Sequence, residues 1–297
     1  MKYVLHGLIL DTPFPCPELP PSTGDADVAV AWGTTDKPSH VWHEVGVCHK
    51  AAPGKYLLSA SGVANFLVEN GDRVTIEKTG EADEDSLRLF FYHEVMGALL
   101  MQRGFLVLKG CVVERNGKGI AFVGPTPSGK TMTAATLAKR NYRVVADGFF
   151  CLAGDETLSV QPGYPWLGLW EKSLDDLGIS HEGLKPLRKG MRRFYLPLDR
   201  SSCNRPVRLE RIYVLAFHNR AELSIETLRG AEKLFALLNH RYHPELAAPL
   251  GMTEPIHRLA ANLAKSATVR IVRHNDTLVP FEQYIERMEE ELEENVP

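Results

Sequence analysis

GPTPSGKT, Gly124 to Thr131, decides how this 297-residue chain is read. It fits G-x-x-x-x-G-K-[ST], the spacing of a loop that wraps backbone amides around phosphate oxygens. Gly124 and Gly129 let the backbone bend tightly and come close to a phosphate. The amides of Ser128, Gly129, Lys130 and Thr131 are expected to face a β-phosphate, with the dipole of the following helix behind them. Lys130 is the expected bridge between β- and γ-phosphates, and the Thr131 hydroxyl the expected Mg²⁺ ligand. Pro125 and Pro127 stiffen the loop and remove two donors, so binding falls to the later amides. The run Gly124, Pro125, Thr126, Pro127, Ser128, Gly129, Lys130, Thr131 and Met132 is therefore read as nucleotide-binding.

The competing reading is a Gly/Pro surface turn, and the flanks argue against it. "IAFVG" before the loop reads as a short buried strand, and "KTMTAATLAKR" after it as a helix that Asn141 ends. "YRVVADGFF" reads as the next strand. A loop between a strand and a helix is the context this motif requires. Asp147 closes the apolar part of that next strand, one helix downstream of Lys130. A carboxylate there can contact Mg²⁺, directly or through water, or take a proton from an attacking hydroxyl. The plainer reading is a turn aspartate before Gly148.

Further out, residues 1–80 look β-rich and 81–297 carry the loop. "YVLHGLIL" reads as an opening strand, "ADVAVAWG" and "KYLLSA" as further strands, and Asn70-Gly71 within "ANFLVENGDRVTIEK" as a hairpin turn. Asp83 to Arg103 reads as a long helix, acidic at its start and basic at its end, which Gly104 stops. "FLVLKGCVVER" reads as a strand pair or bent strand, and Asn116 to Gly119 as a second hairpin turn. Residues 160–205 look irregular. Beyond them come strands ("RIYVLAF", "AELSIETL"), helices ("AEKLFALLNHRYH", "EPIHRLAANLAKSA"), a last strand ("VRIVRH") and an acidic tail helix. That tail should pack Tyr284, Ile285, Met288 and Leu292 on one face. The fold class expected is α/β.

Composition narrows the classes. Hydrophobic content is 44% and charged content 24%, ordinary for a globular protein. A formal net charge of −3 gives no global bias toward nucleic acid or an anionic membrane. The five cysteines form no C-x-x-C pair, which fits buried thiols in a reducing, cytoplasmic setting. The opening residues lack a signal peptide's apolar core and cleavage site. The most apolar run, "FFYHEVMGALLMQRGFLVL", is interrupted by His93, Glu94, Gln102 and Arg103 and fails as a membrane span.

These residues together resemble the HPr kinase/phosphorylase-like family, a P-loop serine kinase group remotely similar to phosphoenolpyruvate carboxykinase. "LKGCVV", "GPTPSGKT" and "VVADG" follow the order of that family's motifs. "YVLHGLILDTPFPCPEL", "VANFLVENGDRVTI" and "PGYPWLGLW" are similar to a bacterial subgroup that tailors ribosomally made peptides, lasso peptides among them. The resemblance covers most of the chain, but only the loop is highly specific. It implies an HPr-kinase-like catalytic core behind the β-rich N-terminal region. It also implies ATP and Mg²⁺ as cofactors, Asp147 as base on a serine hydroxyl, a peptide or small-protein acceptor, and homo-oligomers.

Four departures stand against it. Lys109 replaces the family's histidine, Pro127 the middle glycine of its loop, and Gly148 the second aspartate of its pair. The L-E-x-R-G-x-G motif has no clear match. Lys109 suits an electrostatic clamp on the transferring phosphate. A lysine is no base at neutral pH unless its pKa is strongly lowered, and the plain alternative is a solvated strand residue. Two readings therefore remain besides a peptide kinase: a nucleotide-binding regulatory protein without transfer, and a kinase of small-molecule hydroxyls.

Weaker candidates remain. In "LRKGMRRF", Arg188, Lys189, Arg192 and Arg193 form a basic cluster. Lys189, Arg192 and Arg193 are taken as a phosphate or substrate clamp, against the reading of a solvated loop. Trp166 and Trp170 either line the acceptor site or pack a structural loop. Glu171, Asp175 and Asp176 either supply a second metal carboxylate or are surface acids. The pairs His40/His43 and His240/His243 lack the third ligand of a zinc signature. Ser201, Ser202 and Cys203 lack a nucleophile elbow.

Overall fold

The computed structural model describes residues 1–35, 42–81, 83–154, 158–198, 201–220, 222–275 and 279–294. It is a mixed α/β fold with two large sheets and a two-stranded ribbon.

The strand Leu106–Arg115 organises the sheet that carries the loop. On one edge it pairs antiparallel with Lys118–Val123 through a turn at Asn116 (φ 56°) and Gly117 (φ 82°). Positive φ at both central residues is the requirement of a tight hairpin, which Asn-Gly meets. On its other edge it pairs with Arg143–Ala146 and then with Phe149–Ala153. So "YRVVADGFF" forms two pieces on one partner. The register slips once, between Val144 and Ala146. It then holds, since Ala146 opposes Val112 and Phe149 opposes Lys109. Val145 is thus the extra residue of a bulge, and Asp147 comes to lie across from Cys111.

Lys118–Val123 also runs parallel to Val207–Phe217, which runs parallel to Thr268–His274. Ser159–Val160 bridges Phe149–Ala153 to Val207–Phe217. The pairings therefore close into a ring, from which Thr268–His274 and Ser224–Thr227 extend. One face of this sheet carries the loop helix Lys130–Lys139, the ribbon Trp166–Trp170 with Arg193–Pro197, and the tail helix Phe281–Glu294. Tyr284, Ile285, Met288 and Leu292 are all buried there, as the spacing of the tail predicts.

The N-terminal sheet has eight strands, from Lys2–Leu5 to Arg73–Lys78 in sequence. "YVLHGLIL" is a hairpin rather than one strand, because His6 (φ 52°) and Gly7 (φ 76°) turn the chain between Leu5 and Leu8. The Asn70-Gly71 hairpin forms as expected. Its turn docks on a helix end, where the Gly71 amide donates to Gln102 Oε1 at 2.7 Å and Arg103 donates to the Gly71 carbonyl at 2.9 Å.

The expected helix runs from an Asp83 N-cap, whose side chain accepts from the Ser86 amide at 2.7 Å. It is not uniformly α: Glu84–Phe90 and Met96–Gln102 flank a π-helical turn, Phe91–Val95. Phe91, Val95 and Leu99 pack into the same apolar cluster as Phe66 and Val74 of the N-terminal sheet and Leu108 and Phe150 of the loop sheet. The stretch 160–205 is more ordered than its Pro/Gly content predicts, because Trp166–Trp170 finds a ladder partner 27 residues on at Arg193–Pro197. Among the described residues no helix is long and apolar enough to cross a membrane. All five cysteines are free thiols, four of them buried.

Gly97 shows how tightly the helix seats. A Cβ there would lie 2.2 Å from Cε1 of the Tyr242 ring. Tyr242 is itself tied down, its hydroxyl donating to the His93 carbonyl at 2.9 Å. Overpacking of this kind costs about 1–3 kcal/mol. Gly97→Val is expected to lower unfolding stability by that amount in denaturant melts; an unchanged midpoint would contradict this packing.

Candidate active site

The loop leaves Val123 and enters its helix at Lys130 through Gly129 in the left-handed region (φ 74°). Gly124 is forced by space: a Cβ would lie 2.7 Å from the Leu215 carbonyl oxygen on the neighbouring strand. Pro125, Thr126 and Pro127 are exposed, whereas Ser128 is buried. The Lys130 ammonium points back into the loop and donates to the carbonyls of Gly124 (3.1 Å) and Pro125 (2.6 Å) and to Ser128 Oγ (3.1 Å). Burial lowers its pKa, and the nearby charge of Lys109 lowers it further. Met132 packs partly buried against the core beneath the first helical turn.

Asp147 meets this loop directly. The Thr131 hydroxyl donates to Asp147 Oδ1 at 2.9 Å, and the Gly168 amide approaches Oδ2 at 3.4 Å. The bulge at Val145 makes this contact. Side chains alternate across a strand, so one extra residue moves everything after it to the other face. Were the same residues paired without the bulge, Asp147 would fall opposite Gly110 and point away from the loop helix. With it, Asp147 shares a face with Cys111, whose thiol donates to the Lys130 carbonyl at 3.2 Å. Burial holds the Asp147 carboxyl above its ordinary range, against the opposing pull of Thr131, Arg193 and the amides of Gly148 and Gly168.

Gly148 follows at φ 80°, a conformation that favours glycine and would strain an aspartate. Its amide-bearing turn faces His93, since a Cβ on Gly148 would stand 3.7 Å from His93 Cε1. Burial, then the charge of Arg193, pushes the His93 pKa down to about 4, so this imidazole is neutral at neutral pH. His93 sits in the π-helical turn, a type of irregularity often found at functional sites. Sequence reasoning missed it: "FYHEV" lies inside a helical run, and nothing in its composition marks a widened turn.

The other expected residues divide. Lys109 is exposed on the central strand beside the loop, its amide bound to the His240 carbonyl at 2.8 Å. Of the basic cluster, only Arg193 reaches the site. Its Nε donates to the Gly168 carbonyl at 3.0 Å, and its charge acts on both Asp147 and His93. Arg192, immediately before the strand Arg193–Pro197, is exposed and pairs with Glu171. Lys189 is exposed, and no contact brings it to the loop. Glu171 is held by Arg192 and His181, and Asp175 and Asp176 are exposed. Trp166 is buried, whereas Trp170 is 55% exposed with the Arg193 guanidinium 5.8 Å from its ring.

His40 lies outside the described residues, and His43 is exposed. His240 Nδ1 donates locally to the Ala236 carbonyl, and His243 lies between Glu94 and Glu245. Among the described residues, no cluster of three or more His, Cys, Asp or Glu is arranged to hold a metal ion. Thr131 and Asp147 instead offer two hard oxygens at the helix start. Such a pair fits Mg²⁺, which takes one or two protein oxygens and completes its shell with phosphate oxygens and water.

No family model matches this chain, and no curated protein matches it. Among solved structures it is similar to the HPr(Ser) kinase/phosphatase of Coxiella burnetii, at 10% identity and a TM-score of 0.33, over 64% of this chain and 99% of that one.

The raised pKa of Asp147 has a thermodynamic consequence. In an unfolded chain an aspartate ionises near 3.9 (about). In the fold Asp147 ionises later, so stability falls as pH rises from the unfolded value through the folded one, and no penalty remains below that interval. Asp147→Asn stays neutral throughout. It is expected to raise the melting temperature at neutral pH and to lose that advantage toward pH ~4, as calorimetry across the range would read; a lower melting temperature at neutral pH would contradict it.

Proposed function

We propose that the chain is an ATP-dependent kinase that transfers the γ-phosphoryl group to a serine hydroxyl of a peptide or small protein. The observation that carries this reading is the 2.9 Å hydrogen bond from Thr131 to Asp147. It joins the last residue of a phosphate-cradling loop to a buried carboxylate. The contiguous strand, loop and helix of Lys118–Lys139 are thereby joined to a carboxylate that a second strand delivers. The motif resemblance to HPr-kinase-like proteins supports the same reaction class, and its peptide-tailoring subgroup supports the acceptor.

In this reading the amides from Ser128 to Thr131 and the Lys130 ammonium hold the β- and γ-phosphates. Mg²⁺, when bound, supplies charge neutralisation on the phosphoryl oxygens. Asp147 accepts a hydrogen bond from the Thr131 hydroxyl, which turns that oxygen's lone pairs outward as ligands, and would itself help hold Mg²⁺ through water. Asp147 is also the base. The acceptor oxygen bonds to the γ-phosphorus as its proton passes to Asp147, and the bond from that phosphorus to the β–γ bridging oxygen breaks, releasing ADP. A carboxyl whose pKa is raised by burial is better matched to this proton than an ordinary aspartate. Lys109, beside the loop, clamps the transferring group by charge. Arg193, whose charge acts on Asp147, and Trp170, whose ring the Arg193 guanidinium approaches, are offered to the acceptor.

Nucleotide binding without transfer is the second reading. It draws on Gly148 at the position of a second carboxylate and on Glu171 being engaged by Arg192. One experiment separates the two: labelled ATP and Mg²⁺ with a mixture of serine-containing peptides. Wild type is expected to label peptide, Lys130→Ala to lose both ATP binding and labelling, and Asp147→Asn to bind ATP while transfer drops by roughly 10²- to 10⁴-fold. ATP binding with no labelling by wild type would sink the kinase and leave the binder.

A further inference from the structure

The three parallel strands Lys118–Val123, Val207–Phe217 and Thr268–His274 all end at the sheet edge that bears the loop. Ligands of α/β sheets bind at the carboxyl ends of such strands. Asp147 and Thr131 fix which flank of that edge faces the γ-phosphate. Asp147 lies beyond the antiparallel strand Leu106–Arg115, on one side of the loop. The nucleoside must then leave toward the other side, where Val207–Phe217 and Thr268–His274 end.

An aromatic ring is exposed at that place. Phe217 closes its strand two residues beyond Leu215, whose carbonyl abuts Gly124 at the start of the loop. It is 42% exposed although Ile212 to Leu215 before it are buried. The ring is backed rather than loose. His274 lies behind it at 5.2 Å between centroids, and Tyr284 stacks on His274 at 4.9 Å. The column ends in the loop helix, where Thr133 donates to the Tyr284 hydroxyl at 3.4 Å. The chain just past Phe217 is pinned as well. The Arg220 amide donates to His218 Nδ1 at 2.9 Å, and Asn275 donates to the His218 carbonyl at 3.0 Å. The other large exposed aromatic rings differ. Trp32 and Trp170 each lie under a cation, and Phe235 is a helix residue, on Ala231–Asn239, and not the end of a sheet strand.

We infer that Phe217, backed by His274, is the platform on which the nucleotide base stacks. This rests on the phosphate-loop reading above. A ring face held rigidly at the mouth of a phosphate loop suits the π-face of a base, and stacking of this kind needs no hydrogen-bond readout.

The test separates the base from the phosphates. The full chain is titrated by calorimetry with MgATP and, separately, with magnesium tripolyphosphate. Phe217→Ala is expected to weaken ATP roughly 5- to 100-fold, the range one base–aromatic stack carries, and to leave tripolyphosphate unchanged. Phe217→Trp should keep the ATP affinity. Unaltered ATP affinity in Phe217→Ala overturns the platform, and so does an equal loss of both ligands. Wild type binding neither ligand sinks the nucleotide reading and the platform together. Wild type binding tripolyphosphate as tightly as ATP sinks the platform alone.

Discussion

Every geometric relation at the site depends on the ladder along both edges of Leu106–Arg115. One edge carries the strand that launches the phosphate loop, and the other carries the strand that delivers Asp147. The spacing of two strands across a third is fixed by backbone hydrogen bonds, so it does not depend on loop flexibility. Gly110 is what lets the centre close up: a Cβ there would collide with the Phe122 carbonyl on the launching strand. Cys111, next along, lies under the loop lysine's carbonyl and across from Asp147. A polar site is thereby mounted on an apolar, tightly constrained base, the arrangement by which a rigid scaffold positions residues that rotate freely elsewhere.

That mounting has an energetic consequence. Asp147 is buried, and its partners offset only part of the burial. His93 beside it is held neutral for the same reason. A fold selected for stability alone would place amides or aliphatic side chains at both positions. Strain and desolvation of this kind concentrate where chemistry is done, and the remainder of the core compensates. The compensation here is extensive: one apolar cluster runs from the N-terminal sheet through the helix Glu84–Gln102 into the loop sheet.

Much of this was legible in the sequence, because the signals were local. Asn70-Gly71, Asn116-Gly117 and the loop glycines specify backbone conformations within a few residues, and each forms as its chemistry demands. The long helix and the amphipathic tail follow from periodicity. What stayed hidden required knowledge of distant partners. Trp166–Trp170 is a strand only because Arg193–Pro197 arrives beside it. Arg192 and Arg193 are alike in composition, and only the strand that begins at Arg193 separates them, leaving one in solvent beside Glu171 and setting the other toward Asp147. The His6-Gly7 turn broke an apolar run that otherwise reads as a single strand. Neither the β-bulge nor the π-helical turn leaves a trace in hydrophobic patterning, since each adds one residue to an element whose period is otherwise kept.

Those two irregularities share a property when the chain is counted rather than viewed. Each is a surplus of one residue, Val145 in a ladder and one position within Phe91–Val95 in a helix. Together they turn Asp147 and His93 toward the same turn. Removing Val145 would heal the ladder into an unbroken antiparallel pair, so the sheet itself has no need of the residue. Its loss would also leave Asp147 opposite Cys111; with Val145 present, it is the bulge that keeps Asp147 on that partner instead of letting it slide to Gly110 and the opposite face of the sheet. Along this strand, pairing carries functional information that residue identity does not: where the ladder absorbs its extra residue decides whether the loop meets an acid.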